Sequence, residues 1–197
     1  MSEQHHSRSD TRSRIQRVAL ELFVSQGYEK TSLREIAEQL GVTKAALYYH
    51  FKTKEEIVQS TVEDYLNSID GLLEWGKSQP RTHATRQEVL RRYSHLLEHG
   101  QDSMKFFQQN PAQGAELGQK FRSRMTSLFD LVRDPEAPIT DQIRSILAVA
   151  GQMFSMVLAS KEFELPGGPY SEADVRAAAL EVGLGLLQPL GSATPAG

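Results

Sequence analysis

The chain of 197 residues is long enough for one or two domains, and with 39% hydrophobic and 24% charged residues it has the composition of an ordinary soluble globular protein. It contains no cysteine, which excludes a disulfide framework and a thiolate zinc site. The start, MSEQHHSRSD, lacks the apolar segment of a signal peptide, and the longest nearly apolar run, residues 146–159, is shorter than the roughly 20 residues that span a bilayer. We therefore expect a cytoplasmic protein.

The formal net charge of -3 is unevenly distributed along the chain. Residues 1–54 contain nine Lys and Arg against six Asp and Glu, whereas the remainder contains thirteen against nineteen. A basic N-terminal part on an acidic body is typical of a nucleic-acid contact that is confined to one end of the protein.

The first ten residues are polar, and we expect residues 1–10 to be a disordered N-terminal extension. From Arg12 to Gln26, apolar residues recur three and four positions apart, which predicts a helix with one buried face. Those residues are Ile15, Val18, Ala19, Leu22 and Phe23. Gly27 follows them and ends the predicted helix.

The next pattern predicts two short helices joined by a tight turn. Ser32 and Glu35 match a capping box at the start of the first helix, and Gly41 is well placed just beyond its end. Thr43 can cap the second helix after a turn of only a few residues. Because two short helices around a glycine-containing turn are the outline of a helix-turn-helix, we predict that residues 11–55 form a DNA-binding domain.

The remaining helices are predicted from periodicity and from the Gly and Pro residues between them. The first runs from Lys54 to Trp75, and the others cover residues 84–99, 102–109, 112–132, 139–160 and 171–187. No stretch alternates with period two, so we predict an all-α fold of about nine helices. A second helical domain would cover residues 56–190, and residues 191–197 would be a flexible tail.

Residues 47–55, LYYHFKTKE, combine two tyrosines, a histidine and two lysines. On a helix with about 100° per residue, Leu47 and Phe51 share the inner face, whereas Ala45 and Tyr49 project to the opposite side. Such a helix presents small, aromatic and basic groups outward, as a recognition helix in a major groove requires. The alternative is that the tyrosines pack between helices and the lysines are merely solvated.

One run, ALELFVSQGYEKTSLREIAEQLGVTKAALYYHFKTKEEIV, contains the motifs A-x-x-L-F-x-x-x-G-Y, T-[TS]-h-R-x-I-A, G-V-[ST] and L-Y-x-H-F-x-x-K. In these motifs residues 12–58 resemble the N-terminal domain of the TetR family of transcriptional repressors. Ala45 departs from the pattern, because many members have glycine there. The resemblance implies DNA contacts by Thr31, Ser32, Thr43, Lys44, Ala45, Tyr48, Tyr49 and His50, with Lys54 as a phosphate anchor.

The resemblance also implies a variable second domain that dimerises through its last helices and binds an inducer between its middle helices. We expect the inducer to be small and mostly apolar, because bulky adaptable side chains are frequent in this part of the chain. The predicted ligand contacts are Trp75, Tyr93, Phe107, Met125, Phe129 and Met153. No metal or other cofactor is predicted.

The last two long helices contain small residues among large ones, which allows close helix packing. The apolar positions near the end of the chain are Leu180, Val182, Leu184, Leu186 and Leu187. Such a stripe is unusual on the surface of a monomer, so we predict a two-fold homodimer through these helices.

Residues 95–99, HLLEH, match the motif H-x-x-E-H of inverted zinc peptidases. His95 and His99 could share a metal ion, but the sequence identifies no third ligand, and a helix end with cationic side chains near the C-terminal dipole is the favoured interpretation. The function predicted from the whole chain is a non-enzymatic, ligand-responsive repressor that binds a pseudo-palindromic operator. Two alternatives remain: an activator or DNA-binding protein without a small-molecule ligand, and a metal-dependent hydrolase at these histidines.

Overall fold

The structure is a computed structural model, and it describes residues 2–100, 103, 105, 106, 109–159, 168 and 170–188. All the regular elements in this part of the chain are α-helices, which confirms the predicted all-α class. They are α1 Ser2–Gln26, α2 Leu33–Leu40, α3 Lys44–His50, α4 Lys54–Ser78, α5 His83–His99, α6 Pro111–Val132, α7 Ile139–Leu158 and α8 Glu172–Leu186. The helix predicted at 102–109 and the tail 191–197 lie largely or wholly outside the described residues.

The chain divides into two compact units, one formed by residues 1–67 and 100–118 and the other by residues 68–99 and 119–197. The boundary predicted after residue 55 therefore falls inside the first unit. The physical reason is that the first turns of α4 are bonded to α1. The Gln16 amide donates hydrogen bonds to the Ser60 hydroxyl at 2.9 Å and to the Asp64 carboxylate at 2.6 Å.

Helix α1 begins at Ser2, whereas the sequence predicted a disordered extension over residues 1–10 and a helix from Arg12. Residues 2–10 contain neither proline nor glycine, so nothing interrupts the helical backbone. The apolar periodicity that marks a helix in the sequence starts only at Ile15, because residues 2–14 are all polar.

The described core of the first unit is formed by α1, α2, α3 and the start of α4, together with Phe106 from the 100–118 segment. Its buried members are Ile15, Val18, Ala19, Leu20, Phe23, Tyr28, Ile36, Ala37, Leu47, Phe51, Ile57, Val58 and Phe106. Phe106 is fully buried, and its ring centroid lies 5.6 Å from the centroids of both Phe23 and Tyr28. A residue distant in sequence thus completes the aromatic centre of this unit.

In the second unit, α7 and α8 pack closely along each other. Gly183 of α8 is buried, and the amide of the fully buried Gln152 donates hydrogen bonds to the Ala179 carbonyl at 2.9 Å and to the Ala148 carbonyl at 3.3 Å. These contacts fix the distance between the two helices, as the small residues predicted. Helix α8 starts at a capping box formed by Ser171 and Asp174.

Candidate nucleic-acid interface

The helix-turn-helix predicted from the sequence is formed by α2 and α3. Ser32 and Glu35 form the expected capping box of α2. Gly41 ends α2 with a φ of 69°, in the left-handed region that favours glycine, and this reverses the chain within a few residues. Thr43 then caps α3, its hydroxyl accepting the Ala46 N–H at 3.2 Å.

Helix α3 has one buried and one exposed face, as its sequence predicted. Leu47 is fully buried and Phe51, which follows the helix, is 1% exposed. On the other side, Tyr49 is 65% exposed and Tyr48 is 37% exposed, and Ala45 is exposed near the N-terminus. The tyrosines are thus not packed between helices, so the surface interpretation of this cluster fits the structure better than the packing alternative.

The polar groups on this exposed face are held by aromatic contacts. The Lys44 ammonium nitrogen lies 5.3 Å from the centroid of the Tyr48 ring. The rings of Tyr49 and the half-buried His50 meet edge to face, with centroids 5.3 Å apart. Because these contacts limit side-chain freedom, less conformational entropy is lost when the groups bind a partner.

The two predicted contacts before α2 differ in accessibility. Ser32 is exposed, but its N–H and its hydroxyl both contact one carboxylate oxygen of Glu35, at 2.7 and 2.9 Å. These hydrogen bonds hold the pKa of Glu35 below its usual range. Thr31 is 2% exposed and donates its hydroxyl to the Gly27 carbonyl at 2.9 Å. Its hydroxyl is therefore occupied within the turn, which makes a direct DNA contact by this side chain less favourable than one by Ser32.

Lys54 is engaged within the protein, which the sequence did not indicate. Its ammonium group donates a hydrogen bond to the Tyr28 carbonyl at 2.7 Å and lies 4.4 Å from the Tyr28 ring centroid. The Tyr28 hydroxyl in turn donates to the Glu55 carboxylate at 2.8 Å. Burial, and then this hydrogen bond, raise the pKa of Tyr28 well above its usual range. Lys54 thus ties the start of α4 to the end of α1, besides any contact with phosphate.

Sequence reasoning also omitted Arg12, whose guanidinium carbon lies 4.6 Å from the Phe51 ring centroid. The only sequence signal was the basic character of α1, since helical periodicity does not show which arginine reaches the end of α3.

The residues predicted to bind an inducer lie in several environments. Tyr93 is fully buried, and its hydroxyl contacts the sulfur of the buried Met125 at 3.4 Å, so the structure brings these two together. Trp75 is half-buried, with the Arg92 guanidinium carbon 3.7 Å from its ring centroid. The side chains of Phe129 and Met153 are half-buried, and Phe107 lies outside the described residues.

A groove of about 370 Å³ lies elsewhere, between α7 and α8. Its walls include Leu147, Gly151, Phe154, Val175, Ala179 and Val182. None of the six predicted ligand contacts lines this groove. Its walls are almost entirely apolar, and Asp174 at one edge is committed to the cap of α8.

The same helices present an exposed apolar surface, which we call the α7–α8 face. It comprises Ile139, Ile143, Leu147, Phe154, Val157 and Val182, which are between 41% and 69% exposed. Of the stripe predicted on α8, only Val182 is exposed. Leu187 is buried, and Leu180, Leu184 and Leu186 are half-buried. The exposed surface is therefore supplied more by α7 than the sequence indicated.

The structure gives no further support to a metal site at the motif of residues 95–99. The His95 Nδ1 atom lies 3.6 Å from the Glu98 carboxylate, and the side chain of His99 is outside the part of the structure that is described. Among the described residues, no three potential metal ligands lie together. In the same part of the chain, no helix combines the length and apolarity that a membrane span needs.

Comparison with known proteins agrees with this geometry. Residues 15–61 match the family model described as bacterial regulatory proteins, tetR family. The chain is 44% identical over 54 residues to the biofilm operon icaADBC HTH-type negative transcriptional regulator IcaR of Staphylococcus aureus, a match that covers 26% of this chain and 29% of that protein. It is 26% identical over 95 residues to the uncharacterized HTH-type transcriptional regulator YerO of Bacillus subtilis, covering 46% of this chain and 33% of that one. These matches thus span about a third or less of the curated relatives.

Solved structures extend the similarity to the whole fold. A transcriptional regulator from Aquifex aeolicus superposes with a TM-score of 0.66 at 22% identity, over 90% of this chain and 99% of that one. A regulator of the TetR/AcrR family from Thermobifida fusca has a TM-score of 0.53 at 25% identity, over 89% and 97% of the two chains. Residues 15–61 are thus similar to the bacterial regulatory proteins of the tetR family, and the chain shares the helical fold of solved regulators such as the one from Aquifex aeolicus.

Proposed function

We propose that this protein is a regulator of the TetR family, a sequence-specific repressor that binds double-stranded DNA through α3. The observation that carries the proposal is the exposed outer face of a capped α3 whose inner residues, Leu47 and Phe51, are buried. A recognition helix needs this division between a fixed inner face and a free outer face. Repression, rather than activation, is supported by the similarity to IcaR, which is named a negative regulator.

The roles of the exposed groups follow from their position on α3. Lys44 and Ala45 lie at the N-terminus of the helix, where base edges are contacted, so Lys44 would bind guanine acceptors and Ala45 a thymine methyl. Thr43, Tyr48, Tyr49 and His50 would donate hydrogen bonds to phosphate oxygens and set the register. Ser32 joins them if a phosphate replaces the Glu35 carboxylate as its partner.

A homodimer would form by two-fold pairing of the α7–α8 face. Phe154 and Val182 on this surface are 54% and 63% exposed, and large contiguous apolar patches normally mark interaction sites. Pairing two copies would give a four-helix interface and place two α3 helices on a pseudo-palindromic operator. Half-sites of such dimers are about one helical turn, or roughly 34–36 Å, apart. Such a regulator would act in the cytoplasm, where the DNA is.

An inducer would be small and mostly apolar, and Tyr93 and Met125 mark the middle helices where it would insert. Because these two side chains contact each other here, the ligand would have to separate them. It can weaken DNA binding only by its preference for a DNA-incompetent arrangement of the dimer.

Two substitutions separate the DNA surface from the dimer surface. Tyr49→Glu should abolish specific DNA binding and leave the dimer intact, whereas Phe154→Glu should give a monomer whose DNA affinity falls because the two half-sites are no longer linked. Binding would be measured on duplexes selected from a random pool, and mass by light scattering at micromolar concentration. A wild-type monomer, or the absence of any enriched duplex, would contradict the proposal.

Binding to the same selected duplex also distinguishes a ligand-responsive repressor from a DNA-binding protein without a small-molecule ligand. Loss of DNA binding when a small apolar compound is added would establish the ligand response. If no compound in a broad screen shifts either the DNA affinity or the thermal unfolding temperature, the chain is better described as a DNA-binding protein without a small-molecule ligand.

A further inference from the structure

We propose that Arg12 of α1 is a further contact to the DNA phosphate backbone, supplied from outside the helix-turn-helix. This inference rests on the proposed function, because it assumes that α3 enters the major groove. It concerns a residue that none of the family motifs includes and that lies before the segment matched by the family model, residues 15–61.

The first step is the location of the side chain. The guanidinium carbon of Arg12 lies 4.6 Å from the centroid of the Phe51 ring. Phe51 is the C-cap of α3, its N–H bonded to the Leu47 carbonyl at 3.0 Å, and its ring is buried. Arg12 is therefore held beside the C-terminal end of the proposed recognition helix.

The second step is the state of its charge. Arg12 is exposed, and no described carboxylate lies within ion-pair distance of it. Two other arginines of this unit are paired: Arg17 with Glu21 at 2.9 Å, and Arg34 with Glu38 at 2.7 Å. Contact with an aromatic ring does not neutralise a guanidinium, and its N–H edge can still bind a phosphate through two parallel hydrogen bonds.

The third step is the geometry of groove binding. The N-terminal residues of a recognition helix contact base edges, whereas its C-terminal end lies closer to the sugar-phosphate backbone in the homeodomain arrangement. Among the described residues, Arg12 and the exposed Lys52 supply positive charge at that end of α3, whereas the Lys54 ammonium is already bonded to the Tyr28 carbonyl. A phosphate is the anion that this cationic end would meet.

The test compares Arg12→Gln and Arg12→Lys with Arg17→Gln, a control on the same exposed helix whose arginine is paired with Glu21. Affinity would be titrated over a series of salt concentrations, on the selected operator and on an unrelated duplex. Arg12→Gln should weaken binding to both by a similar factor. The slope of log affinity against log salt should fall in magnitude by about 1.8, because the dimer loses two phosphate contacts and each contributes about 0.9. Arg12→Lys should keep most of that slope, and Arg17→Gln all of it.

The salt slope distinguishes a phosphate contact from packing on Phe51. If Arg12→Gln lowers the unfolding temperature but leaves the slope as in the wild type, Arg12 only packs on the ring and the inference is wrong. If wild-type protein selects an operator and Arg12→Gln binds it with the same slope and affinity, the inference fails while the proposed function stands. If wild-type protein binds no duplex, the proposed function itself fails.

Discussion

Gly183→Ala should destabilise the protein, although alanine is the better helix former. A Cβ atom at position 183 would lie 2.8 Å from the Gln152 amide nitrogen, 3.0 Å from a Leu90 methyl carbon and 3.3 Å from the Ala148 carbonyl oxygen. The closest atom ends a flexible side chain, but Gln152 is 1% exposed and its amide is bonded to two backbone carbonyls. It cannot move away without losing a buried hydrogen bond.

The expected magnitude follows from these contacts. Overpacking or a broken buried hydrogen bond costs about 1–3 kcal/mol. Replacing glycine by alanine inside a helix returns about 1 kcal/mol. The net loss in the free energy of unfolding should therefore be up to about 2 kcal/mol, and the gap to a glycine-to-alanine change without the clash about 1–3 kcal/mol. Gly71→Ala is the matched control, since Gly71 is also helical and exposed and a Cβ there meets no atom within 4 Å. It should gain up to about 1 kcal/mol.

Urea unfolding followed by circular dichroism measures both variants against the wild type, with equal slopes required for a valid comparison. Because α7 and α8 form the proposed dimer surface, Gly183→Ala should also dissociate at a higher protein concentration than the wild type. If Gly183→Ala is as stable as Gly71→Ala, the spacing between the two helices is not limited by this contact, and the reasoning is refuted.

Three further predictions concern the first unit. Lys54→Ala should weaken binding to all DNA sequences. It should also lower the free energy of unfolding by about 1–2 kcal/mol, because it removes a hydrogen bond to the Tyr28 carbonyl. An unchanged unfolding temperature would mean that Lys54 is a phosphate anchor only. Glu55→Gln should reduce the loss of stability in acid. In the folded state, hydrogen bonds from the Glu55 backbone N–H and from the Tyr28 hydroxyl lower the pKa of the Glu55 carboxyl. The stability that this carboxylate contributes is therefore complete above its unfolded pKa of about 4.3 and is lost as the pH falls through its folded pKa. Melting curves between neutral pH and about pH 3 measure the difference from the wild type. Lys44→Ala should change the preferred sequence in a repeated selection, and a uniform loss on every duplex would assign Lys44 to the phosphates instead.

The features that the sequence predicted correctly depend on neighbours in the chain. The capping box of Ser32 and Glu35, the left-handed Gly41 and the cap at Thr43 each involve residues at most a few positions apart. The inner face of α3 could be predicted because helical geometry alone places Leu47 beside the position of Phe51. Such local rules hold whatever surrounds the helix.

The features that could not be predicted from the sequence depend on contacts between residues that are distant in the chain. Lys54 reaches a carbonyl 26 positions away, and no pattern around it shows that its ammonium is engaged. The apolar periodicity of α7 predicts a hydrophobic face, but it does not distinguish the side that packs on α8 from the side that includes the exposed Ile143. The frequency of bulky residues in the second domain likewise could not show that the side chains of Tyr93 and Met125 contact each other.

The position of Phe106 limits how the two parts of such a regulator can be exchanged. The DNA-binding unit lacks a complete core until the chain has continued to residue 106, because this ring fills the space beside Phe23 and Tyr28. A transplanted N-terminal segment ending at residue 67 would contain a cavity the size of a phenyl ring, at a cost of about 3–5 kcal/mol. A working chimera therefore has to inherit both pieces of chain, the N-terminal segment and the one that contains Phe106.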